Sequence, residues 1–182
     1  MSLYRYVARK EDLLDLALDA AYEGVDLPER PSGNWRSDLA GLAHSLRRAT
    51  QAHPWAPQLL ATRPPLGPNY LALFEFALEC AYSLTENMAA QIRVVGLVFH
   101  HAMGATAYEA AERESDRRTG MTPEQMASAA RPYLEPYLDS GRFPQLARFL
   151  QTRPDPDPEA TFQWGLDCLL DGLSATFGRA NT

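Results

Sequence analysis

The chain of 182 residues is poor in cysteine and lysine and has no long apolar run. Its two cysteines, Cys80 and Cys168, lie far apart in apolar, helix-like segments, which excludes a disulfide framework and a cysteine metal site. We interpret both as small buried residues. No apolar run approaches the ~18 residues of a membrane span, and no signal-like segment follows the basic residues at the start. The sequence therefore predicts a cytoplasmic protein.

Negative charge outweighs positive charge, so the net charge is −6. Lys10 is the only lysine. The sequence shows no strongly basic face, so we do not expect most of the chain to bind DNA by itself. The exception is the first ten residues, where Arg5, Arg9 and Lys10 lie close together.

Strand signals are nearly absent, since no segment sustains an alternation of apolar and polar residues, whereas helical spacing recurs throughout. The sequence therefore predicts an all-α fold. Asn34 is placed to cap the second helix, and Asp157 is placed to cap the last one, with Pro158 at its first helical position. Pro132 and Pro136 are expected to end the helix that begins near residue 122. The predicted helices are about 10–22, 35–49, 57–62, 69–84, 85–115, 122 to 132 or 136, 143–151 and 159–177.

The longest predicted helix is apolar on most sides, which indicates burial at the centre of the domain or at a subunit interface. One of its stripes consists of small residues interrupted by one imidazole: Gly96, His100, Gly104 and Ala107. The last helix keeps Gly165 and Gly172 although glycine weakens a helix by roughly 1 kcal/mol relative to alanine. These glycines predict close approach by another helix, which would be its own copy in a dimer.

Polar groups on the same helix suggest a small-molecule site. Gln91, His101 and Tyr108 share a stripe with Val98, and a few polar groups in an apolar cavity are what orients a ligand. The aromatic residues are equally compatible with an ordinary core. His44, on the second helix, is either a pocket group or a surface residue.

Metal and catalytic signatures are missing. His100 and His101 point about 100° apart on a helix and cannot easily share one metal ion. They are either satisfied buried histidines, or one pocket donor and one interface residue. No HExxH, GxSxG, GxxxxGK[ST] or strand-linked GxGxxG motif occurs. The sequence predicts that the chain is not an enzyme and has no cofactor and no metal site.

Two parts of the sequence carry a resemblance to a known family. The stretch "SLYRYVARKEDLLDLALD" resembles the junction between the helix-turn-helix domain and the regulatory domain of TetR-family regulators. The segments "WRSDLAGLAHSLRRA", "LLATRP", "HHAMGATAYEAAE" and "FQWGLDCLLDGL" are similar, in this order, to tetracycline-repressor-like C-terminal domains. The junction residues that match are Leu3, Tyr4, Tyr6, Val7, Lys10, Leu13 and Leu14. The markers further on are Thr62, Arg63 and Pro64, then Phe162, Gly165, Leu166, Leu169, Leu170 and Gly172.

The resemblance implies a TetR-like C-terminal helical bundle whose antiparallel helices dimerise as a four-helix bundle. It implies a remnant of the recognition helix at 1–9, a connecting helix at 10–23 and a ligand-binding and dimerisation domain at 24–182. Contacts to DNA are implied for Tyr4, Tyr6 and Lys10. The candidate ligand-binding residues are His44, Thr62, Tyr70, Phe74, Gln91, Val98, His101 and Tyr108. The candidate dimer interface is Gly96, His100, Gly104, Phe162, Gly165, Leu166, Leu169, Gly172 and Leu173.

Departures from the family pattern bear on the ligand. Where tetracycline repressors hold magnesium with a histidine just ahead of the TRP marker, this chain has Leu59. Tetracycline repressors also have a glutamate in the central helix that supports the metal site, and this position aligns near Tyr108 here. The histidine that is kept in the central helix is His100. The departures argue against a metal–tetracycline ligand and favour an apolar or aromatic inducer.

The function that the resemblance implies is a ligand-responsive transcriptional regulator, acting as a repressor. A homodimer would hold two recognition helices about one DNA turn apart, and ligand binding would move them out of register. Operator DNA would be a partner only when the full helix-turn-helix is present. The alternative is a stand-alone helical protein that binds or sequesters a small molecule without binding DNA.

Overall fold

The computed structural model describes residues 9–60, 62, 65–152 and 157–178, and these residues contain eight α-helices and no strand. The predicted all-α fold is thereby confirmed. None of the described helices has the length and apolar character that crossing a membrane requires. The helices are α1 Lys10–Glu23, α2 Trp35–Ala52, α3 Ala56–Leu60, α4 Pro68–Tyr82, α5 Met88–Thr119, α6 Pro123–Asp139, α7 Pro144–Thr152 and α8 Pro158–Phe177.

The chain divides into two compact units, with the divisions after Tyr108 and after Thr161. The larger unit contains α1 to α4, the first part of α5 and most of α8. The smaller unit, Glu109–Thr161, contains the rest of α5, α6, α7 and the start of α8.

The core of the larger unit is built from the apolar stripes that the helical spacing predicts. From α2 the residues Leu39, Leu42 and Leu46 are fully buried, at the spacing of three and four positions that places side chains on one face of a helix. The other helices add side chains at helical spacing, and burial of each large aliphatic or aromatic side chain contributes about 1.5–3 kcal/mol. These core residues are Leu73, Phe76 and Ala77 of α4, Val94, Val95, Val98 and Phe99 of α5, and Phe162, Leu166, Leu170 and Leu173 of α8.

Both predicted caps are confirmed. The Asn34 side chain accepts a hydrogen bond of 3.2 Å from the backbone N–H of Ser37 in the first turn of α2. The Asp157 carboxylate accepts one of 3.0 Å from the backbone N–H of Ala160 in the first turn of α8. Each cap satisfies an N–H that has no partner inside its own helix.

The expected end of α6 near Pro132 or Pro136 is wrong, because the helix continues to Asp139 with both prolines inside it. The helix starts with a capping box, in which Thr122 and Gln125 satisfy each other's backbone N–H groups. Both prolines project to the exposed side, and the opposite face carries a continuous apolar stripe. That stripe lines a cavity of about 970 Å³ within the smaller unit and includes Ala130, Leu134 and Leu138, opposite Ala147 and Leu150 of α7.

Candidate functional site

A carboxylate joins α1 to the start of α4. Asp19 of α1 is 8% exposed and accepts a hydrogen bond of 3.0 Å from the backbone N–H of Tyr70. The side-chain amide of Asn69 donates to the same carboxylate at 3.0 Å. A negative charge at the N-terminus of a helix is favoured by the helix dipole, so Asp19 caps α4 from a neighbouring helix.

Gly67 makes this approach possible. A Cβ atom at position 67 would overlap the Asp19 side chain, because the backbone before α4 passes directly over the carboxylate. The glycine is therefore required by close packing rather than by an unusual backbone angle, since its φ is −80°.

Next to this joint lies a group of rings that we call the ring cluster: Tyr22 of α1, Tyr70 and Phe74 of α4, and Phe99 of α5. The rings of Tyr22 and Tyr70 are 5.5 Å apart, and Tyr70 stacks on Phe74 at 5.9 Å. Phe99 meets Tyr70 edge-on at 6.3 Å and Phe74 at 6.4 Å. These separations lie in the favourable range for aromatic pairs, so the cluster ties α1 to α4 and α5.

The phenols of the ring cluster are neutral donors at neutral pH. Burial raises the pKa of Tyr22 above its ordinary value, and the nearby Tyr70 phenol adds to the shift. Burial also raises the pKa of Tyr70. Desolvation disfavours the charged phenolate, which explains both directions.

A second group, the Phe162 cluster, consists of His44 and Arg47 of α2, His101 of α5 and Phe162 of α8. The buried Phe162 ring stacks on His101 at 4.8 Å and meets the edge of His44 at 5.2 Å. The guanidinium carbon of Arg47 lies 4.6 Å from the centre of the same ring. Phe162 is thus in contact with three nitrogen-bearing side chains from two helices.

Hydrogen bonds fix the orientation of both imidazoles. His101 Nε2 lies 3.0 Å from the carbonyl oxygen of Phe162, which can only accept, so this nitrogen carries the proton. Gln163 donates through Nε2 to the Asp167 carboxylate at 3.0 Å, which turns its Oε1 toward His44 Nε2, also at 3.0 Å. His44 Nε2 therefore donates as well, and Nδ1 of each ring is the acceptor in the neutral form.

The structure thus brings together half of the predicted ligand-binding residues in two clusters: Tyr70 and Phe74 in one, His44 and His101 in the other. The remaining ones lie elsewhere. Val98 is fully buried in the core, and Gln91 donates through its side-chain amide to the carbonyl oxygen of Thr85 at 2.8 Å. Tyr108 is 68% exposed, and Thr62 donates to the carbonyl oxygen of Leu59 at 2.8 Å. Ligand contact by all of these residues stays a prediction.

Sequence reasoning missed Asp19 and Tyr22. A signal was present for both, because α1 buries Leu18, Asp19, Ala21 and Tyr22 on one face. A carboxylate and a phenol within an apolar helix face indicate partners on another element. The sequence does not reveal that the partner is the start of α4.

The donor set does not fit the magnesium ion of tetracycline repressors. Leu59 has no ligating atom and lines an apolar cavity of about 450 Å³ together with Leu14, Ala17, Trp55 and Gln58. His100 is exposed on α5, and no three His, Cys, Asp or Glu side chains form a metal-binding group in the part of the chain that is described.

The predicted interface residues differ in how much surface they retain. Phe162, Leu166 and Leu173 are buried in the core of the protomer itself, so they offer a partner almost no surface. The close approach expected at Gly165 is made within the chain, because the His101 Cε1 atom lies 2.6 Å from where a Cβ of residue 165 would stand. The residues that remain exposed or half-buried are Gly96, His100, Gly104, Gly165, Leu169 and Gly172.

Of the residues expected to contact DNA, Tyr4 and Tyr6 lie outside the described residues. Lys10 is the exposed first residue of α1.

Comparison with known proteins decides the family. Residues 27–177 match the tetracyclin repressor-like C-terminal domain. The chain belongs to this family. The resemblance recognised in the sequence is thereby confirmed.

Relatives of this tetracyclin repressor-like chain are named as transcriptional regulators. The HTH-type transcriptional repressor DrrR1 of Streptomyces coeruleorubidus is 33% identical over 174 residues, which cover 95% of this chain and 64% of the relative. An HTH-type transcriptional regulator of Saccharopolyspora erythraea is 33% identical over 177 residues, covering 97% of this chain and 71% of that protein. The chain therefore spans somewhat less than two thirds of DrrR1. Both of these relatives are named as transcriptional regulators.

Solved structures agree with the family. The apo form of ActR from Streptomyces coelicolor has a TM-score of 0.76 at 25% identity, covering 98% of this chain and 80% of that one. ActR in complex with actinorhodin has a TM-score of 0.74 at 26% identity, covering 97% and 81%.

Proposed function

We propose that this chain is the ligand-binding and dimerisation part of a ligand-responsive transcriptional repressor, and that a small apolar or aromatic molecule bound to it releases operator DNA. The observation that carries the proposal is the ring cluster, in which Tyr22 of the connecting helix packs against Tyr70 of α4 at 5.5 Å. A ligand that contacts the cluster therefore contacts α1 as well. The naming of DrrR1 as a repressor and the complex of ActR with actinorhodin support the proposal.

The proposed mechanism is a two-state switch. α1 is held to α4 by Asp19 and to the ring cluster by Tyr22, so a change in how α4 packs changes the position of α1. A ligand that contacts Tyr70 and Phe74 better in one arrangement shifts the population toward it. To move the switch from 1:99 to 99:1, the ligand must bind the favoured arrangement about 10⁴-fold more tightly.

We also propose a homodimer through the exposed faces of α5 and α8. Trp164 is 71% exposed and Leu97 is 47% exposed, which is costly for large apolar side chains without a partner. Cys168 and Gly172 are exposed one and two turns after Trp164, so α8 presents a strip with small residues that another helix could approach. Trp164→Glu is expected to convert the dimer to a monomer in sedimentation experiments. Leu71→Glu, at an exposed position of α4, is the matched control and should leave a dimer.

The function is tested with the complete gene product, including any helix-turn-helix segment encoded ahead of this chain. The complete protein should retard DNA from upstream of its own gene, the 182-residue chain alone should not, and a compound found by thermal-shift screening should release the DNA. A sharp, competable shift with this chain alone would contradict the proposal. Absence of a helix-turn-helix in the gene, with ligand binding retained, would favour the stand-alone binding protein.

A further inference from the structure

The smaller unit has no buried core in the residues that the structure describes. No described side chain of Glu109–Thr161 is buried, although this unit contains all of α6 and α7. Its large apolar side chains stay open to solvent: Phe143 is 41% exposed, Leu146 is 41% exposed and Phe149 is 53% exposed. Because burial of apolar side chains is favourable, a group of this size indicates a contact surface.

α7 has more apolar surface than α6 covers. Ala147 and Leu150 of α7 line the groove of about 970 Å³ together with Leu134 of α6. Leu146 and Phe149 lie about 100° around the same helix from these two residues and remain exposed. α6 and α7 thus form a pair of helices, which we call the hairpin, with an apolar groove and an apolar face beside it.

The charges of the hairpin are divided between its two helices. Glu112 and Asp139 line the groove, and neither has an ion-pair partner among the described residues, whereas Glu135 is paired with Arg131 at 3.5 Å. Asp139 is the last residue of α6, where the helix dipole disfavours a negative charge. α7 contains Arg148 and no acidic residue, and Arg148 also makes no ion pair in the part of the chain that is described. The groove therefore favours an apolar helix that carries positive charge.

We infer that the hairpin is a self-association surface, in which α7 of one copy lies in the groove of a second copy and the four helices form a bundle. Helical hairpins with open apolar faces bury those faces together by this packing. A second copy of the chain supplies the matching occupant, because α7 is an apolar helix with an arginine and no acid. A two-fold axis makes every contact twice, so Arg148 of each copy meets Asp139 of the other.

This contact goes beyond the proposed dimer, because it uses α6 and α7 and not the exposed faces of α5 and α8. It is also the weaker of the two contacts. α7 has nine residues and is about 13 Å long, and short interfaces are typical of weak association. We therefore expect the chain to be a dimer at about 10 μM and a tetramer at about 500 μM.

Charge reversals in the Trp164→Glu background test the contact. Trp164→Glu removes the proposed contact of α5 and α8, so the association that remains does not depend on it. This variant should be a monomer at about 10 μM and a dimer at about 500 μM in sedimentation equilibrium. Adding Asp139→Arg or Arg148→Asp should raise the Kd of that dimer at least about 10-fold, because like charges then face each other twice.

A mixture of the two charge variants distinguishes a contact between copies from one within a chain. In an equimolar mixture of Asp139→Arg and Arg148→Asp chains, opposite charges meet at both places. The mixture should therefore associate with a Kd within about threefold of that of the Trp164→Glu chain, although each variant alone does not. Glu114→Arg, at an exposed position of α5 outside the groove, is the matched control and should leave the Kd within about twofold.

Folding is checked on the same variants. Asp139 and Arg148 are both exposed, so each reversal should leave the Tm within about 3 °C of the Trp164→Glu chain. Recovery of association in the mixture also shows that both variants are folded, because two misfolded chains would not restore each other.

The outcomes separate this inference from the proposed function. A Trp164→Glu chain that stays a monomer at about 500 μM overturns the inference and leaves the groove to a different protein. Association that neither reversal weakens, or that the mixture does not restore, also overturns it. A Trp164→Glu chain that is still a dimer at about 10 μM contradicts the proposed dimer of α5 and α8 instead, and the mixture then decides the hairpin contact. The regulator proposal is decided by the DNA-binding experiment.

Discussion

The carboxylate of Asp19 on α1 accepts a hydrogen bond of 3.0 Å from the backbone N–H of Tyr70, the third residue of α4. Asn69 donates to the same carboxylate, and the three residues form a joint between α1 and the helix that carries Tyr70 and Phe74. Tyr70 contributes its backbone to the joint and its ring to the ring cluster, so this residue belongs to both. The stability of this joint can be measured independently of any ligand.

Removal of the carboxylate should weaken the joint. Asp19→Ala leaves the N–H of Tyr70 and the amide of Asn69 without their acceptor, so the free energy of unfolding should fall by about 2 kcal/mol. Urea denaturation followed by circular dichroism measures the change. Glu23→Ala, at an exposed position of the same helix, should change the free energy by less than about 0.5 kcal/mol. Equal effects of the two substitutions would contradict the cap.

The glycine before α4 should be intolerant of even a methyl group. Gly67→Ala places a Cβ against the Asp19 side chain, so we expect a loss of about 1–3 kcal/mol in unfolding free energy. Gly41→Ala is the matched control, because nothing lies within 4 Å of its Cβ and alanine favours the helix by roughly 1 kcal/mol. The two substitutions should therefore shift the Tm in opposite directions. A tolerated Gly67→Ala would show that Asp19 can move aside.

The contact between His101 and Gly165 should behave as a coupled pair. Gly165→Ala meets the imidazole and should break its hydrogen bond to the carbonyl of Phe162, with a loss of about 1–3 kcal/mol. In a His101→Ala background the same substitution should be neutral or stabilising, because the obstacle is gone. A double-mutant cycle by urea denaturation gives the coupling energy. If the two substitutions have additive effects, the loss of unfolding free energy in Gly165→Ala does not come from the contact with His101. It would then come from another contact, for example one in the proposed dimer.

The two cysteines should differ in reactivity. Burial, with smaller effects of Asp38 and Glu79, raises the pKa of Cys80 from 9.0 to about 12, so this thiol stays protonated at pH 8 in the native chain. Cys168 is exposed on α8, so the expectation that both cysteines are buried is wrong for this one. A disulfide reagent such as 5,5′-dithiobis(2-nitrobenzoic acid) should therefore titrate only Cys168 before unfolding and both thiols in urea. If α8 forms the proposed dimer interface, the rate at Cys168 should also fall with rising protein concentration.

Because the pKa of Cys80 is raised in the native state, the free energy of unfolding depends on pH. The protonated thiol is favoured in the native state, so the contribution of Cys80 is complete below pH 9 and is lost as the pH rises from 9 toward 12. Cys80→Ala should flatten the fall in unfolding free energy over this range, relative to the unmodified chain. An unchanged slope would show that Cys80 does not ionise on unfolding.

The helices and most of their ends can be predicted from the sequence, because helical spacing and capping act between residues a few positions apart. The stripe of α2 and the caps at Asn34 and Asp157 are examples. The length of α6 was the exception, since two prolines predict an end that the capping box and the apolar stripe of the helix override. The family could also be recognised, because its markers are short contiguous motifs.

The contacts between these helices, and the side chains that make them, follow from the three-dimensional packing. Asp19 meets Tyr70 across 51 positions of sequence and His101 meets Phe162 across 61, and no local pattern encodes such a pairing. Gly165 predicts close approach by a second copy, yet His101 of the same chain occupies the space beside it. Tyr22 lies on the buried face of α1, and its ring meets that of Tyr70 on α4 at 5.5 Å. The physical reason is that side-chain partners are chosen by the three-dimensional packing of whole helices, which a one-dimensional spacing does not specify.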